Sequence, residues 1–466
     1  MITVNIGRTF LKAYNRKYEK ELTAKEFFEQ EYFELFYNHN KFMQWIQNSP
    51  FDQLQKQKKH FFENERRKKL TELISNIEAG VINGSTAFGF PASMDKGFAT
   101  TSGLVTDIDR NITSNEAFYS WIGSGLGLGI EGGLSFYFDD PDILLSIYDG
   151  WKVYRTFLND NSIEKLGERQ IDTWNGQWIY YKFYRPRNIE PDFATFHDAF
   201  EYDKTKAELR AITIKWSKLL FSLSKKLGNT NITGFIGTFG NTNKTLGFYP
   251  FQFEHTQKLI IYYKKLFGEN EALSDAPKYE ELYGKTIYEA CKLGSIGLQA
   301  LEPKGLREYF KKADKMPNLK KSKVSRKNGQ TDEEFDSIFQ EAEKKDYENK
   351  IIPFRIYKTW LLAMITKNKE ELSDYTQEIA KVIYEYRIAD KKGSTKRSNV
   401  VQKQLFVSKS KKAFLEALTE MISEVDENQL EMLKGLRDRI HLMNNEDFGY
   451  FVVLLKFDYA YQERIS

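Results

Sequence analysis

The stretch Gly132-Gly-Leu-Ser-Phe-Tyr-Phe-Asp-Asp-Pro-Asp-Ile-Leu-Leu145 decides how the first half of the chain is read. A glycine pair leads into Leu134 to Phe138, a short apolar and aromatic run that predicts a strand. Asp140 then supplies a side-chain cap and Pro141 a pre-set first helical residue, so a helix is expected to start there. Ile143, Ile147, Trp151, Tyr154 and Leu158 follow at helical spacing and predict a buried face. A strand passing directly into a helix makes this region mixed.

Working outward, Thr23-Ala-Lys-Glu26 is a capping box that predicts a Phe- and Tyr-rich helix through about Asn48. Ile171 to Tyr184 and Ile232 to Phe253 read as strands broken by Asn-, Thr- and Gly-rich turns. Ten of the 29 glycines lie between Gly84 and Gly133, whereas only Gly393, Gly435 and Gly449 follow Gln330, with the single proline Pro353. Scarcity of both turn formers predicts long helices there. Ile379, Val382, Ile383 and Tyr386 recur at helical spacing, as do Leu430, Leu433, Leu436 and Ile440. The expected fold class is α+β. It comprises an irregular mixed α/β region over 1–330, an acidic linker over 331–350 and a C-terminal α-helical bundle over 351–466.

The 466 residues suit about two or three domains, or one large domain with a satellite. With 29% charged and 41% hydrophobic residues the chain is neither disordered nor membranous. A single cysteine, Cys291, excludes a disulfide scaffold and a multi-thiolate zinc site. Arg8 falls where the apolar core of a leader would sit, and apolar runs such as Phe451-Val-Val-Leu-Leu455 fall far short of the roughly 20 residues of a membrane span. The expectation is a cytoplasmic protein in a reducing compartment.

Net charge is only +4, from 69 basic and 65 acidic residues, but it is unevenly distributed. Lys304 to Lys327 carries +8 and Lys391 to Lys412 another +8, leaving −12 for the other 420 residues. Asp332 to Glu348 carries −6 directly behind the first block. That stretch either solvates a linker or covers the basic segment.

Catalytic motifs fail on context. Gly127-Leu-Gly129-Ile-Glu-Gly132 fits the dinucleotide pattern, with Asp149 near the acidic position. Its glycines, however, run into a strand, so no helix N-terminus faces a pyrophosphate. Asn241-Thr-Asn-Lys244-Thr245 lacks the glycine of a phosphate loop. Pro141-Asp142 and Pro191-Asp192 lack a following carboxylate-x-lysine, and His197-Asp198 is an isolated pair. Asp107-Ile-Asp109 reads as a solvated turn. Arg437 and His441 enclose three residues, one fewer than the helical ribonuclease pair needs. No enzymatic activity, no metal site and no cofactor is expected.

The basic blocks point to phosphate-backbone binding, which gives affinity through counterion release. The first block offers Lys311, Lys312, Lys315, Lys320, Lys321, Lys323, Arg326 and Lys327, in a segment expected to be partly loop. The second offers Lys391, Lys392, Lys396 and Arg397 on an expected flexible turn. A second candidate is the polar loop region from Gly228 to Thr245. Its Asn229, Asn231, Asn241, Asn243 and Lys244 suit contacts to base edges of duplex DNA.

Several runs also resemble a known family. They are Gly89-Phe-Pro91, Gly97-Phe-Ala-Thr-Thr-Ser-Gly103, the Gly132 to Leu145 stretch, Gly150-Trp-Lys-Val-Tyr-Arg155 and Phe448-Gly-Tyr-Phe451. Together they look like the Cst-type large subunit of type I-B CRISPR surveillance complexes (Cascade). The resemblance implies a non-catalytic DNA-binding subunit in a crRNA-bearing complex with backbone and small subunits. Such a subunit inspects double-stranded target DNA for a short PAM, supports R-loop formation, holds the displaced single strand and docks the helicase-nuclease. It reads a short duplex element while RNA pairing reads the sequence. It also implies a C-terminal bundle like a separate small subunit, with Met316 and Met364 as internal starts. Many relatives carry paired Cys-x-x-Cys motifs, which this chain lacks. The alternatives from the residues alone are a stand-alone helical RNase using Arg437 and His441, or a scaffold whose basic blocks meet an acidic protein.

Overall fold

The computed structural model describes residues 1–46, 49–52, 62–89, 112–184, 192–228, 230–238, 244–307, 319, 321–326, 329–365 and 369–465. The fold is α+β: helices predominate, with a small antiparallel sheet in the first half and helices throughout the C-terminal part. The chain divides into two compact units. The first comprises 1–254 and 291–296, the second 255–290 and 297–466. The division thus falls near residue 254, well before the acidic segment.

In the first unit the longest regular α-helices are α1 (Ile2–Tyr18), α2 (Glu63–Glu78), α3 (Ser114–Ser124), α4 (Pro141–Asn159), α5 (Ile171–Tyr184) and α6 (Trp216–Leu227). α1 and α3 touch backbone to backbone: a Cβ on Gly123 would lie 1.9 Å from the Thr3 carbonyl oxygen, and one on Gly7 would lie 2.1 Å from that of Tyr119. Only glycine permits that approach. Aromatic side chains fill the space beneath. Phe36 meets Trp151 edge-on at 4.8 Å, and Tyr32 stacks on Phe36 at 4.1 Å.

The sheet runs β1 (Leu128–Ile130), β2 (Leu134–Phe138), β5 (Asn231–Thr238), β6 (Lys244–Gln252), antiparallel throughout. A separate hairpin pairs β3 (Phe200–Asp203) with β4 (Glu208–Ala211). β2 is buried along its whole length, which accounts for its apolar and aromatic residues on both faces, and the one polar member, Ser135, donates to Asp172. The expected strand at 134–138 and the strands within Ile232 to Phe253 are present. So are the Asp140 cap, which accepts from the Ile143 N–H, and the buried face Ile143, Ile147, Trp151, Tyr154 and Leu158.

Two expectations need correction. Ile171 to Tyr184 is the helix α5, not a strand pair. Its Trp, Tyr and Ile content favours strands, and Asn175-Gly176 resembles a hairpin turn, but packing overrides propensity. The Asn175 amide donates to the Gly125 and Gly127 carbonyls, and a Cβ on Gly176 would lie 2.4 Å from the Gly129 oxygen. The turn-like pair is instead where a helix lies flat on β1. The helix opened by the Thr23–Glu26 capping box ends at Phe36, short of Asn48. There Arg155, almost wholly buried, donates to the Leu35 and Lys41 carbonyls and fixes the chain as it leaves the helix.

The second unit is helical: α7 (Phe253–Phe267, beginning at the boundary), α8 (Glu269–Leu282), α9 (Asp332–Asp346), α10 (Ile352–Met364), α11 (Lys369–Ile388), α12 (Ser394–Asn399), α13 (Lys411–Ile422), α14 (Glu427–Leu442) and α15 (Asn445–Ile465). Ile379, Val382, Ile383, Tyr386, Leu433, Leu436 and Ile440 are buried as their spacing predicts, while Leu430, in the first turn of its helix, is half-buried. α15 is central, with Phe451, Leu454, Leu455 and Tyr459 inaccessible. A buried ion pair, Lys358 with Asp458 at 2.7 Å, joins it to α10. Buried Asp275 accepts from Tyr263, Tyr347 and Arg355 and so joins α8 to the chain around α10. The segment expected as an acidic linker is mostly α9, opened by a Thr331–Glu334 capping box.

Candidate nucleic-acid interface

Both basic blocks belong to the second unit. In the second block a turn over Lys391–Gly393 leads into α12, and Gly393 takes a positive φ of 87° at the helix start. Lys391 and Lys392 are exposed and make no ion pair with another described residue. Lys396 is exposed and 2.9 Å from Glu424.

Arg397 departs from the expected phosphate-binding set. It sits within α12, only 6% exposed, and donates to the Asp390 and Lys392 carbonyls and to Glu424. The expected flexible turn is therefore confined to its first residues; Lys396 and Arg397 are helical, and Arg397 ties the turn to α13's end. Lys396, together with Arg397, holds the Glu424 carboxyl below the usual carboxylate range.

In the first block, Lys321 to Arg326 runs without helix or strand alongside α9. Its ends are fastened to that acidic helix. Lys321 lies 3.7 Å from Glu343, and Arg326 lies 2.5 Å from Asp332 while donating to the Gln330 carbonyl. The Ser322 N–H and hydroxyl both donate to Asp346. Burial opposes ionisation of Asp346, but Lys350 and Ser322 outweigh it and hold its pKa at about 2. Lys323 is exposed. A cleft of about 390 Å³ opens here, lined by Lys321, Ser322, Glu343, Asp346, Tyr347 and Arg464. The acidic stretch thus covers part of the basic segment. Lys311, Lys312, Lys315, Lys320 and Lys327 lie outside the described residues.

The polar loop candidate is split by the sheet register. Asn231 pairs with Gln252 at one end of the β5–β6 hairpin, and Lys244 pairs with Thr238 at the other. Seven residues of extended chain separate these ends by about 23 Å. The structure does not bring Asn231 and Lys244 together. Each is exposed, so each remains accessible by itself. Asn229, Asn241 and Asn243 lie outside the described residues.

The motifs weighed for catalysis resolve into local structure. Gly127 to Gly132 forms β1 and the turn into β2, with Gly132 and Gly133 at φ 84° and 68°. His197 contacts Asp198 at 2.7 Å with both side chains about two-thirds exposed. Asp192 caps a short helical turn and Asp142 pairs with Lys226. Arg437 donates to neighbouring Asp438 rather than to His441. Among the described residues, no three His, Cys, Asp or Glu side chains cluster as metal ligands. Asp107 and Asp109 lie outside those residues. Cys291 is buried, and burial pushes its thiol pKa up.

Sequence reading missed one charged cluster. Lys17 of α1, Lys152 of α4 and Lys182 of α5 converge on Asp149, at 3.9, 3.8 and 3.0 Å. Only the Asp149–Lys152 spacing on one helix face was visible beforehand. The other two lysines are brought in by tertiary packing.

Among the described residues no helix is long and apolar enough to cross a membrane. Compared with known proteins, the chain matches no family model, no curated protein and no solved structure.

Proposed function

We propose that this chain is a non-catalytic, nucleic-acid-binding subunit of the cytoplasm, and specifically the large subunit of an RNA-guided type I-B CRISPR antiviral complex. In that role it recognises a PAM in target duplex DNA, supports R-loop formation and recruits the helicase-nuclease. The observation that carries the nucleic-acid reading is the charge layout of the second unit. Two +8 segments fall in one compact unit, and Lys323, Lys391 and Lys392 stand exposed within them. Counterion release from such lysines gives affinity without sequence preference. The assignment to a surveillance complex rests on the family resemblance, and the α+β fold with a helical C-terminal part is compatible with it.

The contacts of α9 add a graded element to this reading. Phosphates approaching Lys321 and Arg326 compete with Glu343 and Asp332, so binding draws on pairs that are weak because they are exposed. Within the second block Lys391, Lys392 and Lys396 are exposed and available to phosphates, whereas Arg397 is buried.

The test is charge reversal. Lys391→Glu, Lys392→Glu and Lys396→Glu together should abolish binding of duplex DNA and flatten its salt dependence, by about 0.9 in log–log slope for each phosphate that is no longer neutralised. Unchanged binding and slope would remove the second block from the interface.

A further inference from the structure

Two oxygen acceptors buried in the first unit have nothing to accept from. Asp172 and Asn175 stand three residues apart on α5, so their side chains share the face laid on β1 and β2. The Ser135 hydroxyl donates to Asp172 Oδ2 at 3.3 Å, a long bond between two oxygens. The Asn175 amide donates to the Gly125 and Gly127 carbonyls. The other oxygens, Asp172 Oδ1 and Asn175 Oδ1, are shielded from solvent and, among the described residues, have no hydrogen-bond partner. Native interiors leave few polar atoms in that state, and each calls for an explanation.

The surroundings supply no cation. Ser135 and Tyr137 face Asp172 from β2, and Tyr32 faces it from the helix that the Thr23 capping box opens; burial raises the pKa of both phenols, so both stay neutral. β1 adds only glycine at the contact: a Cβ on Gly129 would lie 2.7 Å from the Asp172 carbonyl oxygen, and one on Gly127 would lie 2.7 Å from the Tyr137 ring. Strand and helix thus touch directly, which favours a proton over a metal ion with its shell of ligands. α4, α6 and β4 also meet α5, but their charged groups are engaged elsewhere. Asp149 of α4 pairs with Lys182, Lys218 of α6 lies over Tyr180, and Glu208 and Arg210 of β4 pair with each other. Burial therefore pushes the Asp172 carboxyl up to about 7, against the weaker opposing effects of the Ser135 bond and of its place in the first helical turn.

We propose that Asp172 and Asn175 form a proton-held latch: protonated Asp172 donates to the unpartnered Asn175 oxygen and keeps the first turns of α5 on the sheet, and when that proton leaves to water those turns lift. One proton then satisfies both orphaned oxygens. A carboxyl whose pKa is raised in the closed form stabilises that form fully at low pH, and the contribution is lost as pH rises from about 4 through about 7. With a closed value of about 7 and an open one of about 3.9, the opening equilibrium should rise about 30-fold between pH 5.5 and pH 8.5. The latch lies in the first unit and does not depend on the nucleic-acid reading.

The experiment is amide exchange of the full chain, corrected for its intrinsic pH dependence. It is followed over Ile171–Tyr184 at both pH values and at several urea concentrations below unfolding. In wild type the protection of the first turns should fall about 30-fold at the higher pH, with little dependence on urea, the mark of a local opening. Asp172→Asn carries amide hydrogens at every pH and can donate to the same oxygen, so protection should stay level across the range. Ser135→Ala removes the one donor to the carboxylate and should move the midpoint to higher pH, a shift that loss of packing alone does not give. Protection that does not change with pH in wild type, or an equal fall in Asp172→Asn, overturns the inference. So does α5 exchange with the same urea dependence as the rest of the first unit, since Asp172 would then act on global stability alone.

Discussion

Arg397 separates a phosphate-binding cation from a structural one, because it lies beside exposed lysines yet is buried. Arg397→Ala removes hydrogen bonds to the Asp390 and Lys392 carbonyls and the ion pair to Glu424. Breaking a fully buried pair costs about 3–5 kcal/mol, because the remaining partner is left without compensation. Glu424 is 28% exposed and keeps Lys396, so water and that ammonium reduce the loss, and about 2–3 kcal/mol is expected. The assay is amide exchange over Ser394–Asn399 together with urea unfolding followed by circular dichroism. Protection should fall by about 30- to 150-fold, the equivalent of that energy at a factor of ten per 1.4 kcal/mol. Lys391→Ala with Lys392→Ala should leave protection unchanged and weaken DNA binding. Wild-type protection in Arg397→Ala, combined with a loss of binding equal to that of the lysine pair, would refute the assignment of Arg397 as structural.

Three further outcomes follow from the same geometry. Burial pushes the Asp172 carboxyl up to about 7 despite the hydrogen bond from Ser135. Because this folded-state value lies above the unfolded one of about 3.9, the group's contribution is full at low pH and is lost progressively as pH rises from about 4 through 7. Asp172→Asn should therefore gain stability over wild type between pH 5 and pH 8, by up to about 4 kcal/mol at the upper end. Tryptophan fluorescence reads this well, since six of the seven tryptophans lie in the first unit; parallel pH curves would count against it. Glu343→Gln with Asp332→Asn should tighten polyanion binding a few-fold at low salt and leave it unchanged at high salt, where exposed pairs are screened. An equal effect at both salt levels would exclude competition by α9. Gly123→Ala should destabilise the first unit by about 1–3 kcal/mol, since its methyl would force α1 and α3 apart. An unchanged urea midpoint would contradict that close approach.

What was legible beforehand was whatever local chemistry decides. The Thr23–Glu26 capping box, the Asp140 cap before Pro141, the β2 strand and the helical spacing of Ile379 to Tyr386 each act within a few residues, and each is present. The helix α5 was hidden because its composition favours strands and the deciding contact, Gly176 on Gly129, spans 47 residues of chain. Arg397 looked like one more surface cation because its partner Glu424 is 27 residues away. The Asn and Lys loops looked like one region until the β5–β6 register placed them at opposite ends of a hairpin. For Asp149, neither Lys17 nor Lys182 was visible as a neighbour, since each belongs to another helix.

The most direct test of the central claim is to purify the chain from its native host at native expression and identify what travels with it. A large subunit of a surveillance complex should bring with it short RNA of uniform length and a multiply repeated smaller subunit, and should bind duplex with an affinity that falls steeply with salt. Recovery of the chain free of RNA and of any repeated subunit would contradict the surveillance-complex assignment.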